Sequence, residues 1–492
     1  MDGFLQKLGR GSFLYGNPWI EEEKHEGCWV FQSFRQFLQV PDHQATEEIS
    51  FTGRGVVDNE KFCRVHGKKY MSTLPLCVGG AFFALPKSIF ALQSLSMNPF
   101  SITRLPELHF GAGGLRQLPR ILQDRSVQRI ALILGGKSFK QSNAYHRLIE
   151  DLKGSHIGYR EFSVTGEPSP DSVDSIVARL KKERDEFLVD GVVAIGGGSV
   201  IDTGKAVAAL FTMEGSVQDY LEGVGTRKPV GTRLALIAVP TTAGTGAEAT
   251  KNAVISRIGP SGFKKSLRHD HYVPDVALVD PELTIPCPPE ITAASGLDAI
   301  TQLLEAYTCT RANPFTDGLA LKTLELAGKG FLLAYRDGKN LEARSQMAYA
   351  AYVSGVCLAQ AGLGVVHGIA SPLGGMFPIP HGVVCGTLLV SATRFTVARA
   401  MRIDDPSDDS CLKRYARAGM ALSGKDAGSD NGNAALLIKT LERFSSETGM
   451  PPLRELGLKE SDLSIIAAKT DAKYHPIPLT VQDVETILKD RY

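Results

Sequence analysis

Apolar residues fall along this chain in two different patterns. Between residues 97 and 285 they form short unbroken runs that end in or near glycine or proline: 129–134 (RIALIL), 189–195 (VDGVVAI) and 234–239 (LALIAV). Runs without alternation predict strands buried on both faces, as in a parallel sheet. Segments 144–152 and 173–186 show helical spacing instead, and Val173, Ile176, Val177 and Leu180 share one face. Strands alternating with helices predict a parallel sheet covered by helices. The prolines Pro281, Pro286, Pro288 and Pro289 mark a change of texture. Beyond them, helical spacing predicts helices at 293–308, 316–334, 341–361, 382–400, 433–448 and 481–489. The stretches 404–409 and 424–432 read as polar loops.

Residues 1–96 follow neither pattern. They are expected to be an atypical extension, with disorder, a partner-docking segment and an upstream translation start as open readings. The expected organisation is therefore an extension over 1–96, an α/β domain over 97–285 and an all-helical domain over 286–492.

Composition narrows the function classes. Lys and Arg number 54 against 53 Asp and Glu, so the net charge is +1 and no basic excess points to nucleic acid. The apolar stretch 74–85 is too short to cross a membrane, which takes about 20 residues, and no apolar core follows a basic start. The eight cysteines are scattered without a CxxC pair, as expected of free thiols in a reducing cytoplasm. Cys309, Cys357 and Cys385 are read as buried apolar residues. The 50 glycines exceed average usage of about 7% and direct attention to glycine-rich turns.

Two such turns follow predicted strands. The run 189–195 leads into Gly196-Gly197-Gly198-Ser199, and a helix is expected from about Val200, carrying Asp202 and Lys205. Glycines there let backbone N–H groups at a helix start approach a phosphate closely. The pattern is neither GxGxxG nor a Walker A loop. The run 234–239 leads into Pro240-Thr241-Thr242-Ala243-Gly244-Thr245-Gly246, where Thr241, Thr242 and Thr245 supply hydroxyls without bulk. Loops at the carboxyl ends of parallel strands are where α/β sheets bind ligands. Asp202 is assigned to positioning a cofactor; a place on the helix surface is the alternative for it and for Lys205.

A second constellation lies in the helical half. His367 and His381 each precede a glycine, and the intervening Gly-Gly-Met-Phe-Pro-Ile-Pro segment is expected to break the helix between them. Asp298 and Gln302 stand at i, i+4 on one predicted helix face. One carboxylate and two imidazoles form a facial triad for a divalent transition metal, with structural histidines as the alternative.

Together these segments resemble the iron-containing (group III) alcohol dehydrogenases, of the dehydroquinate-synthase-like fold. The segments that carry the resemblance are 196–205, 240–250, 279–284, 296–307 and 367–382. It implies an NAD(P)-binding α/β domain, an all-helical metal domain, a small alcohol or aldehyde substrate between them, and a homodimer. It also implies hydride transfer assisted by a divalent metal, Fe²⁺ first and Zn²⁺ second. Carried over by position, Asp298, Gln302, His367 and His381 are the metal positions. The family reads His where this chain has Gln302. It also reads His, beside the nicotinamide, where this chain has Ser371. Ser371 is then a candidate for a proton relay, with small packing beside the nicotinamide as the alternative. The turn after the first strand holds Gly136, Lys137 and Ser138 where NAD-preferring relatives carry an acid, so NADP(H) is expected to be accepted as well as NAD(H). The alternatives to a dehydrogenase are a nucleotide-binding pseudoenzyme with a degraded metal site and a dehydroquinate-synthase-like lyase.

Overall fold

The computed structural model describes residues 99–259, 262–403 and 405–492. Ahead of residue 99 it gives only short backbone strands between Trp19 and Phe83. The expectation of an atypical, disordered extension over 1–96 otherwise lies outside the described residues. The chain divides into two units at Met97 and Asn98. The second unit, Asn98–Tyr492, holds both a six-stranded sheet and the helical half.

Six parallel strands form that sheet: β1 (Glu107–Phe110), β2 (Arg129–Leu134), β3 (Gly158–Ser163), β4 (Gly191–Gly196), β5 (Ala235–Pro240) and β8 (Val276–Val279), in the order β1-β8-β5-β4-β2-β3. An antiparallel hairpin, β6 (Asn252–Arg257) and β7 (Phe263–Arg268), stands apart from it. The central strands are apolar throughout because both faces are covered. Ile130, Leu132 and Leu134 pack on one face with helices α1 (Leu118–Asp124) and α3 (Asn143–Gly154). Ala131 and Ile133 point to the other face, against helices α4 (Pro170–Lys182) and α5 (Gly198–Leu210). A short helix α2 (Lys137–Lys140) follows β2. Ser169 caps α4 with a capping box, and Pro170 occupies its first position, so the helix starts earlier than the expected 173.

The edge strands have no clear signature in the sequence. β1 is exposed along most of its four residues, and β3 (GYREFS) is half-buried along most of its length. Neither has the unbroken apolar run that marks a central strand.

The second half is helical: α6 (Pro289–Thr308), α7 (Pro314–Arg336), α8 (Leu341–Gln360), α9 (Val365–Met376), α10 (His381–Ala400), α11 (Cys411–Ser423), α12 (Asp430–Glu447), α13 (Glu460–Lys469) and α14 (Val481–Lys489). Helices α11 and α13 were not anticipated, and α9 was expected only as a helix carrying His367, without bounds. Gly374, Gly375 and Met376 belong to α9, which runs past its internal Pro372, so the break between the histidines begins only at Phe377. Helix α10 is long and apolar enough to cross a membrane, yet most of it is buried in the helical core. Its apolarity is that of a central core helix.

Candidate functional site

Three loops leave the sheet at the carboxyl ends of adjacent strands. β4 ends at Gly196, paired in register with Pro240 at the end of β5, and Ile195 pairs with Leu134 at the end of β2. Gly197 is the N-cap of the 13-residue helix α5 and no side chain caps it. The N–H groups of Gly198 and Ser199, in the first turn, therefore have no intrahelical acceptor. A Cβ on Gly198 would stand 2.7 Å from the Thr245 hydroxyl, and one on Gly197 would stand 3.4 Å from that of Thr242. The glycine turn and the threonine turn thus face each other across a space too narrow for side chains. Gly136, Lys137 and Ser138 are exposed at the third loop.

The threonine turn also touches the helical half. A Cβ on Gly244 would stand 2.7 Å from the Ser295 side chain of α6. Gly246 has φ +59°, and its Cβ would stand 2.4 Å from the Gly355 backbone of α8. Both the left-handed conformation and the close approach require glycine there.

Asp202 and Lys205 are not on the surface of α5, because α5 is buried on every side. Lys205 Nζ donates to Asp202 Oδ1 at 3.1 Å, to Thr250 Oγ1 at 2.9 Å and to the Asn252 carbonyl at 2.6 Å. Asp202 Oδ2 accepts the Val254 N–H at 3.0 Å. The pair ties α5 to β6 and to the end of the threonine turn. Burial raises the Asp202 carboxyl and lowers the Lys205 ammonium. Burial also pushes the neighbouring Glu248 up to about 7.

The second constellation converges from three helices. Asp298 comes from α6, His367 from α9 and His381 from the first position of α10. Asp298 Oδ1 lies 3.5 Å from His367 Nε2 and 3.7 Å from His381 Nε2. Asp298 is 1% exposed, and its Oδ1 has no hydrogen-bond partner. A buried carboxylate oxygen without a donor is costly unless something charged meets it. Burial pushes the Asp298 carboxyl up, but the imidazoles beside it outweigh that and hold it below its ordinary value. Burial, helped by the positive charges of Lys264 and His367, sends His381 down to about 3 against the pull of Asp298.

Two residues here were missed in the sequence. Cys385, read as an apolar filler, places Sγ 3.8 Å from His367 Nε2 and 3.7 Å from His381 Nε2. One ligand atom from each of Asp298, His367, His381 and Cys385 lies within 4.8 Å of every other. Glu305 accepts from His367 Nδ1 at 2.7 Å and from the Val366 N–H at 2.7 Å. This fixes the tautomer of His367 and turns Nε2 toward Asp298. The signals were readable: Cys385 is one helical turn after His381, and Glu305 is two turns after Asp298.

The chain's departures behave differently. Gln302 is buried, and its Oε1 accepts from the Ser354 hydroxyl at 2.6 Å. Ser371 is exposed one turn beyond His367 and makes no side-chain hydrogen bond among the described residues.

The donor set fits a divalent metal: a buried carboxylate, two imidazoles and a thiol with their ligand atoms turned to one point, and a carboxylate behind one imidazole. Replacing Glu305 with Gln is expected to weaken metal binding about 10–100-fold, read by competition against a chromophoric chelator. An unchanged affinity would remove Glu305 from the support of the site.

Residues 106–281 match the family model for iron-containing alcohol dehydrogenase, and residues 292–492 match the C-terminal model of the Fe-containing alcohol dehydrogenase family. "Alcohol dehydrogenase 4" of Saccharomyces cerevisiae is 33% identical over 397 residues, covering 79% of this chain and 97% of the yeast protein. "NAD-dependent methanol dehydrogenase" of Bacillus methanolicus is 32% identical over 391 residues, covering 78% of this chain and 98% of its own. The crystal structure of a 1,3-propanediol oxidoreductase superposes with a TM-score of 0.71 at 28% identity, covering 80% of this chain and all of that one.

Proposed function

The chain belongs to the iron-containing alcohol dehydrogenase family, and from that premise we propose how its own residues divide the work of the reaction. It is an oxidoreductase that interconverts alcohols with aldehydes or ketones, using NAD(P) and a divalent metal. The family sets aside the dehydroquinate-synthase-like lyase. The meeting of Asp298, His367, His381 and Cys385 at one point speaks against a degraded pseudoenzyme site.

The observation that carries the assignment of residues is the unpartnered Oδ1 of buried Asp298. It faces both imidazoles, on a helix that also touches the threonine turn through Ser295. Oxidation takes a hydride from the alcohol carbon to the nicotinamide and releases the hydroxyl proton. Asp298, His367 and His381 would hold a divalent metal, which would supply Lewis-acid polarisation of the substrate oxygen. The N–H groups of Gly198 and Ser199 hold the pyrophosphate at the start of α5. Thr241, Thr242 and Thr245 belong to the turn that faces it. Asp202 acts at one remove, by fixing α5 against β6. The Ser371 hydroxyl lies one turn beyond His367 and passes the proton to solvent; it is too weak an acid or base near pH 7 to hold it. Consumption of NADH or NADPH with a panel of short aldehydes tests this reading. Tight dinucleotide binding with no turnover on any aldehyde or ketone would overturn it.

We extend the reading to the cofactor. Lys137 and Ser138 are exposed at the end of β2, and no carboxylate stands in that turn to repel a 2′-phosphate. Lys137→Ala is expected to lower kcat/KM for NADPH about tenfold and to leave NADH unchanged, as fits the loss of one charge-assisted contact. Equal losses with both cofactors, or a strong native preference for NADH, would contradict this. A homodimer in a reducing compartment completes the reading. The described cysteines are all free, and light scattering that found a monomer would remove the dimer.

A further inference from the structure

The family's second ligand position is Gln302 in this chain, and a neutral amide is a poor substitute for imidazole. Its oxygen is committed to the Ser354 hydroxyl at 2.6 Å, inside the core between α6 and α8. On the other side of the site, α10 brings in a thiol that the Asp and His pattern of the family does not include.

We propose that Cys385 replaces the missing imidazole as the fourth protein ligand, and that the Asp298, His367, His381 and Cys385 set is built for Zn²⁺ in preference to Fe²⁺. This rests on the reading that the site holds a metal at all.

The geometry carries it. Around a tetrahedral zinc ion, with Zn–N and Zn–O near 2.0–2.1 Å and Zn–S near 2.3 Å, ligand atoms stand about 3.3–3.6 Å apart. Here the oxygen-to-nitrogen edges are 3.5 and 3.7 Å. The sulfur-to-nitrogen edges are 3.8 and 3.7 Å. No pair of ligand atoms exceeds 4.8 Å. Contraction of a few tenths of an ångström brings these four edges to tetrahedral spacing, and the substrate oxygen would enter as a fifth ligand. His381 and Cys385 share one face of α10 at i, i+4, which holds the sulfur in register with the imidazole.

The chemistry agrees. Asp298 and Cys385 are fully buried, and a carboxylate with a thiolate neutralises the charge of a divalent ion. Binding exchanges the thiol proton for the metal: the S–H bond breaks, an S–metal bond forms, the proton leaves to buffer, and nothing is oxidised or reduced. A thiolate is a soft ligand and suits zinc better than iron(II). An uncoordinated thiol between two imidazoles, acting only as packing, is the competing account.

Cobalt(II) is the probe, because a thiolate ligand gives it a charge-transfer band in the near ultraviolet that oxygen and nitrogen ligands do not. The full-length protein, stripped with chelator and reloaded with Co²⁺ without oxygen, is expected to show that band along with its visible ligand-field bands. Cys385→Ser is expected to lose the charge-transfer band and keep the ligand-field bands. Its preference for Zn²⁺ over Fe²⁺ should fall by more than the roughly 10–100-fold cost of losing a supporting partner. Ligand-field bands without a charge-transfer band in the native protein would overturn the thiolate ligand and leave a metal on Asp298, His367 and His381. A native protein that takes up no cobalt at all would overturn the metal reading with it. The native spectrum decides both points even if the serine variant does not fold.

Discussion

Asp298→Asn is expected to lower kcat/KM for aldehyde reduction at least ~1,000-fold while the protein still folds and binds NADPH. A Lewis acid contributes several kcal/mol to stabilising charge on the reacting oxygen, and each 1.36 kcal/mol is tenfold in rate. Asp298 is the carboxylate at the centre of the constellation, since its Oδ1 faces both His367 and His381. The amide keeps the shape and removes the negative charge that a divalent ion needs. Steady-state kinetics give the rate, and quenching of protein fluorescence by NADPH checks that the cofactor site is untouched. A variant within tenfold of the native rate would remove the metal from the mechanism. Loss of NADPH binding as well would show that the substitution damaged more than its site.

Gly198→Val is expected to raise the dissociation constant for NADPH about 100-fold or more. The new Cβ would stand 2.7 Å from Thr245, so the glycine and threonine turns must part and the first turn of α5 must turn away from the ligand. Two charge-assisted hydrogen bonds of about 1.5–3 kcal/mol each are then at stake. Metal content is expected to stay at the native level, because Asp298, His367 and His381 lie on other elements. An unchanged NADPH affinity would show that the pyrophosphate sits elsewhere.

The sequence revealed what burial imposes most strictly. The strands at 129–134, 189–195 and 234–239 stood out because neighbours cover both of their faces. β1 and β3 did not, because an edge strand needs no unbroken apolar run. The end of helix α9 was hidden by its own composition, since Gly374 and Gly375 within it read as a break. At the site, Asp298, His367 and His381 could be found because glycines and helix spacing frame them. Cys385 could not be told from an apolar filler, because a buried thiol packs like one. Glu305 was overlooked because its role is to orient an imidazole, which appears only when α6 and α9 are packed together. Asp202 reads in the sequence as a cofactor-positioning residue, with the helix surface as the alternative for it and for Lys205; that the pair is buried and tied to β6 appears only once α5 packs against that strand.

The central claim is that this chain transfers hydride with a metal held by these residues. The most direct test is NADPH-dependent reduction of a short aldehyde by one preparation, measured as purified, after chelation, and after reloading with Zn²⁺ or Fe²⁺. The account predicts activity that disappears on stripping and returns on reloading, in proportion to metal bound. Full turnover by the metal-free protein would contradict it.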